Sequence, residues 1–211
     1  MHGAPSDHRD STWERDDARY RVWIFAGPDN AVTTFDLTDA TVEDALEAAH
    51  AMSRGDELLW SLALVERDER GLPGLLWLSG MDYNDAPGSA REWRRRRQMQ
   101  DRYLRSRSTR GVPLVLPNGL RVIRVFPEWI DGEPLWENFS DDYHLSGAAL
   151  GLSPELSADL RDWNARWSMR TKDAVDDGWE DEGLALVARL RIELDGVAEV
   201  RPEFLTDFAG S

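Results

Sequence analysis

Tyr20-Arg21-Val22-Trp23-Ile24-Phe25-Ala26, stopped by Gly27-Pro28 and followed after Asp29-Asn30 by the run Val32 to Leu37, is the stretch on which the fold turns. β-Branched and aromatic residues dominate both runs, and the short polar turn between them predicts a hairpin. Directly after it Thr41 stands where a helix N-cap would, with Glu43 and Asp44 in the first turn, where the helix dipole favours acids. Val42, Leu46, Ala49 and Met52 recur at helical spacing and Gly55 supplies a stop. Such a helix must lay its apolar stripe on a sheet, so the class is α+β. Leu58 to Glu66 and Gly74 to Ser79 read as two further strands around Asp68-Glu69-Arg70-Gly71. Their nearly continuous apolar runs predict central, covered strands. Val112 to Leu116 and Leu120 to Phe126 flank Pro117-Asn118-Gly119, and Asn-Gly between apolar runs predicts another hairpin. Residues 20–127 therefore read as a mainly antiparallel sheet with packed helices, preceded by a polar tail, 1–19.

From Pro127 the texture changes to an acidic, tryptophan-rich, helical portion, 128–211, packed on the first as one globule. Ser153-Pro154-Glu155 is a helix start with proline at its favoured first position. Leu156, Leu160, Trp163 and Trp167 then share one face. Trp179, Leu186, Leu190 and Leu194 share the stripe of a second helix, Gly196 ends it, and Val197 to Arg201 reads as a last strand.

Charge is unevenly laid out. The 211 residues carry a net charge of −15. Residues 1–127 hold 20 acids and 18 bases, whereas 128–211 hold 20 acids and 7 bases. Residues 91–110 run against the trend, with nine arginines against Glu92 and Asp101. A field this negative repels nucleic acid and anionic lipid and steers basic partners inward; it also serves plain solubility. With no cysteine there can be no disulfide, thiolate zinc site or Cys nucleophile. No apolar run approaches the roughly 20 residues of a membrane span, and the start of the chain lacks a signal-peptide core. The expectation is a cytoplasmic protein with no cofactor and no membrane partner.

Three groups of residues are candidate sites. Ser89-Ala-Arg-Glu92 resembles a capping box opening a helix that carries Arg94, Arg95, Arg96, Arg97, Arg102 and Arg105, with Trp93 and Tyr103 as apolar anchors. Arginine offers forked donors to phosphate, so this helix is an anion or nucleic-acid site in one reading. In the other its arginines pair with the chain's own surplus carboxylates, within one molecule or across a homodimer. The second group mixes aromatics with acids in the way recognition surfaces do: Trp129, Asp131, Glu133, Trp136, Glu137, Asp141, Asp142 and Tyr143. The third is the acidic run Asp173, Asp176, Asp177, Glu180, Asp181 and Glu182. As a calcium loop it fails, because Leu184 would occupy the position that needs a bidentate carboxylate. Asp177 reads more simply as an N-cap. His144 is the one histidine in a plausible loop, and no serine elbow, HExxH or glycine-rich phosphate loop is present, so no catalytic residue is assigned.

PEWIDGEPLWE from Pro127, LSPELSADLRDWNARW from Leu152 and GWEDEGLALVARLRIEL from Gly178 resemble small, acidic, tryptophan-bearing bacterial proteins, a style common among immunity proteins that neutralise secreted toxins. The resemblance implies a non-enzymatic inhibitor with a basic protein partner and carries no functional residue across. A nucleic-acid or phosphate binder through the arginine helix, and an enzyme with a carboxylate-lined pocket, are the alternatives.

Overall fold

A computed structural model of the chain describes residues 3–7, 9, 11, 16–129, 131–169 and 178–205. Two four-stranded sheets are built around one long helix. The first is an antiparallel sheet of β1 (Tyr20–Ala26), β2 (Ala31–Leu37), β3 (Leu59–Arg67) and β4 (Pro73–Ser79), in the order β2-β1-β3-β4. The second is mixed: β5 (Arg121–Val125), β6 (Leu135–Trp136), β7 (His144–Leu145) and β8 (Ala198–Pro202) lie in the order β7-β6-β5-β8, with β5 and β8 parallel. The fold is α+β, as the residue pattern predicts.

Period-two alternation divides the sidedness of each sheet. On β1, Tyr20, Val22 and Ile24 join Trp60 and Leu62 of β3 beneath α1 (Val42–Met52). Trp23 and Phe25 turn the other way, onto α2 (Ala90–Thr109), where Met99, Tyr103 and Leu104 meet them. Val122 of β5 reaches the same cluster from the second sheet, so α2 lies between the two sheets. The far face of the second sheet, with Ile123, Val125, Ala198 and Val200, buries the stripes of α4 (Pro154–Ser168) and α5 (Trp179–Glu193). A four-residue helix, α3 (Gly147–Leu150), leads into α4. The layers run helix, sheet, helix, sheet, helix pair.

Local chemistry sets most of the boundaries. Thr41 accepts from the Asp44 amide while the Asp44 carboxylate accepts from the Thr41 amide at 2.9 Å, a complete capping box. Ser89 caps α2, and Ser153 with Pro154 starts α4. Three expectations are corrected. Residues 112–116 form no strand: Pro113 and Pro117 remove donors, and Leu116 closes a tight loop by donating to Leu120 at 2.8 Å. Freed from that hairpin, β5 pairs with β8 instead, so the second sheet joins residues on both sides of position 127. β4 is an exposed edge rather than a covered strand, and β3 alone is central among the pair. On α1 the buried residues are Ala45 and Ala49, while Val42 and Leu46 face solvent.

Candidate functional site

The segment from Phe126 to Tyr143 folds as an aromatic ladder on the short β6–β7 pair. Phe126 stacks on Trp136 at 4.9 Å and Trp136 on Tyr143 at 5.8 Å. Trp136 is pinned by its indole N–H donating to the Phe126 carbonyl at 3.1 Å. The top rung, Tyr143, is 61% exposed, whereas Trp136 is buried. Trp129 is 67% exposed, with one face against Trp167 of α4 at 5.1 Å. Its backbone is held: the buried Asn164 accepts from the Glu128 amide at 3.0 Å.

Of the acids in this segment, Asp131, Asp141 and Asp142 are exposed. Glu133 and Glu137 are buried and internally committed, so they offer no surface. Glu133 takes Arg161 at 2.7 Å, and Glu137 accepts both forks of Arg121 at 2.9 and 2.7 Å. They flank β6, whose Leu135 belongs to the core, and a carboxylate drawn in beside it needs a cation. His144 lies against Trp136 at 4.7 Å with Nε2 3.0 Å from the Glu133 carbonyl, a packing position on the exposed side of β7. In the third group, Asp181 is exposed and Glu180 half-buried in the first turn of α5. Asp173, Asp176 and Asp177 lie outside the described residues, and the α5 N-cap position falls to Gly178 without a side-chain cap.

Several arginines of α2 turn donors or guanidinium faces inward. Arg95 donates to the Trp77 carbonyl at 3.2 Å. Arg96 forks onto Glu199 at 2.6 and 3.0 Å, reaches the Tyr83 carbonyl at 2.7 Å and covers the Tyr83 ring at 3.9 Å. Arg97 lies 3.6 Å from Glu203. Arg102 stacks on Trp60 at 3.7 Å and donates to Ser79 Oγ and the Trp60 carbonyl, and burial pulls its guanidinium down to about 10. Arg105 lies over Phe139 at 5.7 Å. Arg94 lines a cleft of about 100 Å³ with Trp93, Arg97, Arg201, Glu203 and Leu205. The arginines thus split between carboxylates, backbone carbonyls and aromatic faces, a wider set of partners than the charge pattern predicts.

The acids that meet α2 escaped the reading of the residues because they come from the last strand. Alternation puts Ala198 and Val200 into the core and turns Glu199 and Arg201 toward the helix. Arg201, 1% exposed, donates to Asp101 at 2.9 Å and forks onto Glu203. Glu203 also takes Arg124 at 2.7 Å. Burial alone would raise the Glu203 carboxyl, but Arg201 and Arg124 outweigh it and hold it below its ordinary value. Gln100 bridges Tyr83 and Glu199 at 2.8 Å each, and burial, reinforced by Glu199, pushes the Tyr83 hydroxyl up. The signal was present as alternating Ala198-Glu199-Val200-Arg201, legible once the partner strand is known.

Among the described residues no group of three or more His, Asp or Glu side chains is placed to hold a metal ion, and no described helix is long and apolar enough to cross a membrane. No protein-family model, curated protein or solved structure matches the chain.

Proposed function

We propose that this protein is a non-enzymatic recognition module that takes a basic protein partner on the face carrying Trp129, Asp131, Asp141, Asp142 and Tyr143, with Asp181 at the start of α5, in the manner of an immunity or antitoxin-like inhibitor. One observation carries the reading: Trp129 and Tyr143 leave most of their surface in water while each is braced from behind by a further tryptophan, Trp167 and Trp136. Braced, exposed aromatics lose little side-chain freedom on binding, and Trp and Tyr are enriched among residues that dominate interface energies. Exposed aspartates around them, in a chain of net charge −15, favour and steer a cationic partner. The phosphate reading of α2 has less support, since Arg96 already forks onto Glu199, Arg97 lies 3.6 Å from Glu203, and Arg95 and Arg102 donate to backbone carbonyls.

The test is affinity capture from the native host, comparing wild type with Trp129→Ala/Tyr143→Ala and Asp141→Arg/Asp142→Arg. A basic protein recovered by wild type, lost from both variants and binding the purified wild type directly supports the reading. A partner retained by both variants, or an acidic one, overturns it.

A further inference from the structure

The face of the first sheet that α2 packs against is only partly covered. α2 meets Phe25 of β1 and Leu59 of β3 at one end of it. At the other end Arg19, just ahead of β1, lies across from Val65 of β3, whose amide donates to the Arg19 carbonyl at 2.8 Å. The register then sets Val65 opposite Leu75 of β4, and Arg67 opposite Pro73. Arg21 shares this face with Arg19 by alternation. These residues line an open cleft of about 330 Å³, at the lower end of the range for small-ligand sites. Its apolar surface is Val65, Pro73 and Leu75, and its polar surface is arginine.

The charge of the cleft runs against that of the chain. With 40 acids and 25 bases in the sequence, the cleft is lined by three arginines and, among the described residues, by no acid. Asp36 of β2 stands behind it, accepting two donors from Arg21, at 2.6 and 2.9 Å, and two from Arg19. Arg21, with Arg19, holds the Asp36 carboxyl well below its ordinary value, so it is charged. A guanidinium has five N–H donors, so Arg19 and Arg21 each keep others. Arg67 donates to the Gly71 carbonyl at 2.6 Å and has no carboxylate partner among the described residues. Three cations against one anion leave a local charge of +2. A phosphate monoester, at about −1.5 to −2 near pH 7 and with several acceptor oxygens, matches that excess. A carboxylate would leave half of it unmatched.

We propose that this cleft binds a small phosphate monoester with an apolar body, its phosphoryl group held by Arg19, Arg21 and Arg67 and its body lying on Val65, Pro73 and Leu75. A single phosphoryl group seated there lies within a Debye length, roughly 8 Å, of its cations. A nucleic-acid strand would hold most of its charge outside the cleft, in the repelling field of a chain of net charge −15. The site is separate from the acidic, aromatic face and independent of the partner proposed for it.

Calorimetric titration of the full chain with phenyl phosphate tests it, with inorganic phosphate and benzyl alcohol supplying the head and the body alone. Wild type should bind phenyl phosphate at one saturable site, inorganic phosphate about tenfold more weakly, and benzyl alcohol not at all. Arg67→Ala should weaken phenyl phosphate about tenfold through lost charge-assisted bonds. Leu75→Asp, which sets an anion on the apolar wall, should abolish binding. Should Leu75→Asp fail to fold, Arg67→Ala, at an exposed side chain, decides alone. Arg189→Ala, on α5, and Trp129→Ala/Tyr143→Ala should bind as wild type does. No saturable binding, an Arg67→Ala variant that binds normally, equal losses for Arg67→Ala and Arg189→Ala, or inorganic phosphate bound as tightly as phenyl phosphate would overturn the proposal.

Discussion

Trp163 and Trp179 stack face to face, ring centroids 4.2 Å apart and planes within 8°, and each indole N–H donates to the other's backbone carbonyl, at 3.0 and 3.3 Å. The pair welds the last turns of α4 to the first turn of α5, and Phe204 closes it edge-on at 5.0 Å from Trp163. Both rings are buried. Trp163→Ala should therefore cost about 3–5 kcal/mol, read as a fall in Tm or loss of soluble expression. Trp163→Phe should cost less, since it keeps an aromatic stack but leaves the Trp179 carbonyl without its donor. An unchanged melt for the alanine variant would contradict the packing described.

Gly183 makes room for that pair. A Cβ at this position would lie 2.7 Å from Trp163 Cζ2 and 2.8 Å from the Phe204 ring. Helix propensity favours alanine over glycine by up to about 1 kcal/mol, yet the clash with two interlocked rings outweighs it. Gly183→Ala should destabilise by about 1–3 kcal/mol, measured by urea denaturation; a stabilised variant would show that the rings give way.

Acid should expose the role of Glu203. Its folded carboxyl is held below the ordinary value of 4.5, so its contribution is present above that value and is lost as pH falls through the lower, folded one. Glu203→Gln should be less stable than wild type at neutral pH, because it leaves Arg124 and Arg201 short of a counter-charge. The gap should narrow on acidification below about pH 4.5. A gap constant from pH 7 to 3 would mean the carboxylate's charge contributes nothing.

Arg96 and Arg102, both on α2, should behave in opposite ways. Arg96→Met strands the Glu199 carboxylate at the α2–β8 contact and should cost about 3–5 kcal/mol. Arg102 has no bonded carboxylate, and its Nε is buried without a partner. Arg102→Met keeps the stem over Trp60 and removes a desolvated cation, so its cost should stay below about 1.5 kcal/mol. Chemical denaturation of the two variants side by side distinguishes them, and equal losses would remove the distinction.

Nucleic acid gives a further check on α2. With Arg95, Arg96 and Arg97 engaged inside the protein, wild type should not be retained on DNA at physiological salt, and reversing the three to Glu should lower Tm. Retention with a steep salt dependence, lost on reversal without loss of stability, would make α2 the functional surface.

The elements with local causes were legible in the residues alone. The β1–β2 hairpin, the Thr41, Ser89 and Ser153 helix starts, and the apolar stripe of Leu156, Leu160 and Trp163 all follow from contacts within a few positions of the chain. Capping, turn chemistry and periodicity act over that range, so residue order is enough to place them. Which strands are edges, and which charges are buried, was decided only by tertiary structure. β4 and β3 are both apolar runs, but β4 ends the sheet because nothing among the described residues pairs beyond it. Asn118-Gly119 lies between two apolar runs, yet the strand after it is claimed by β8, some 75 residues further along. Glu133 and Glu137 read like Asp131 and Asp141 until Arg161 and Arg121 are brought beside them. The physical reason is range: a carboxylate's burial depends on whether a cation from a distant element reaches it, and no local pattern encodes that meeting.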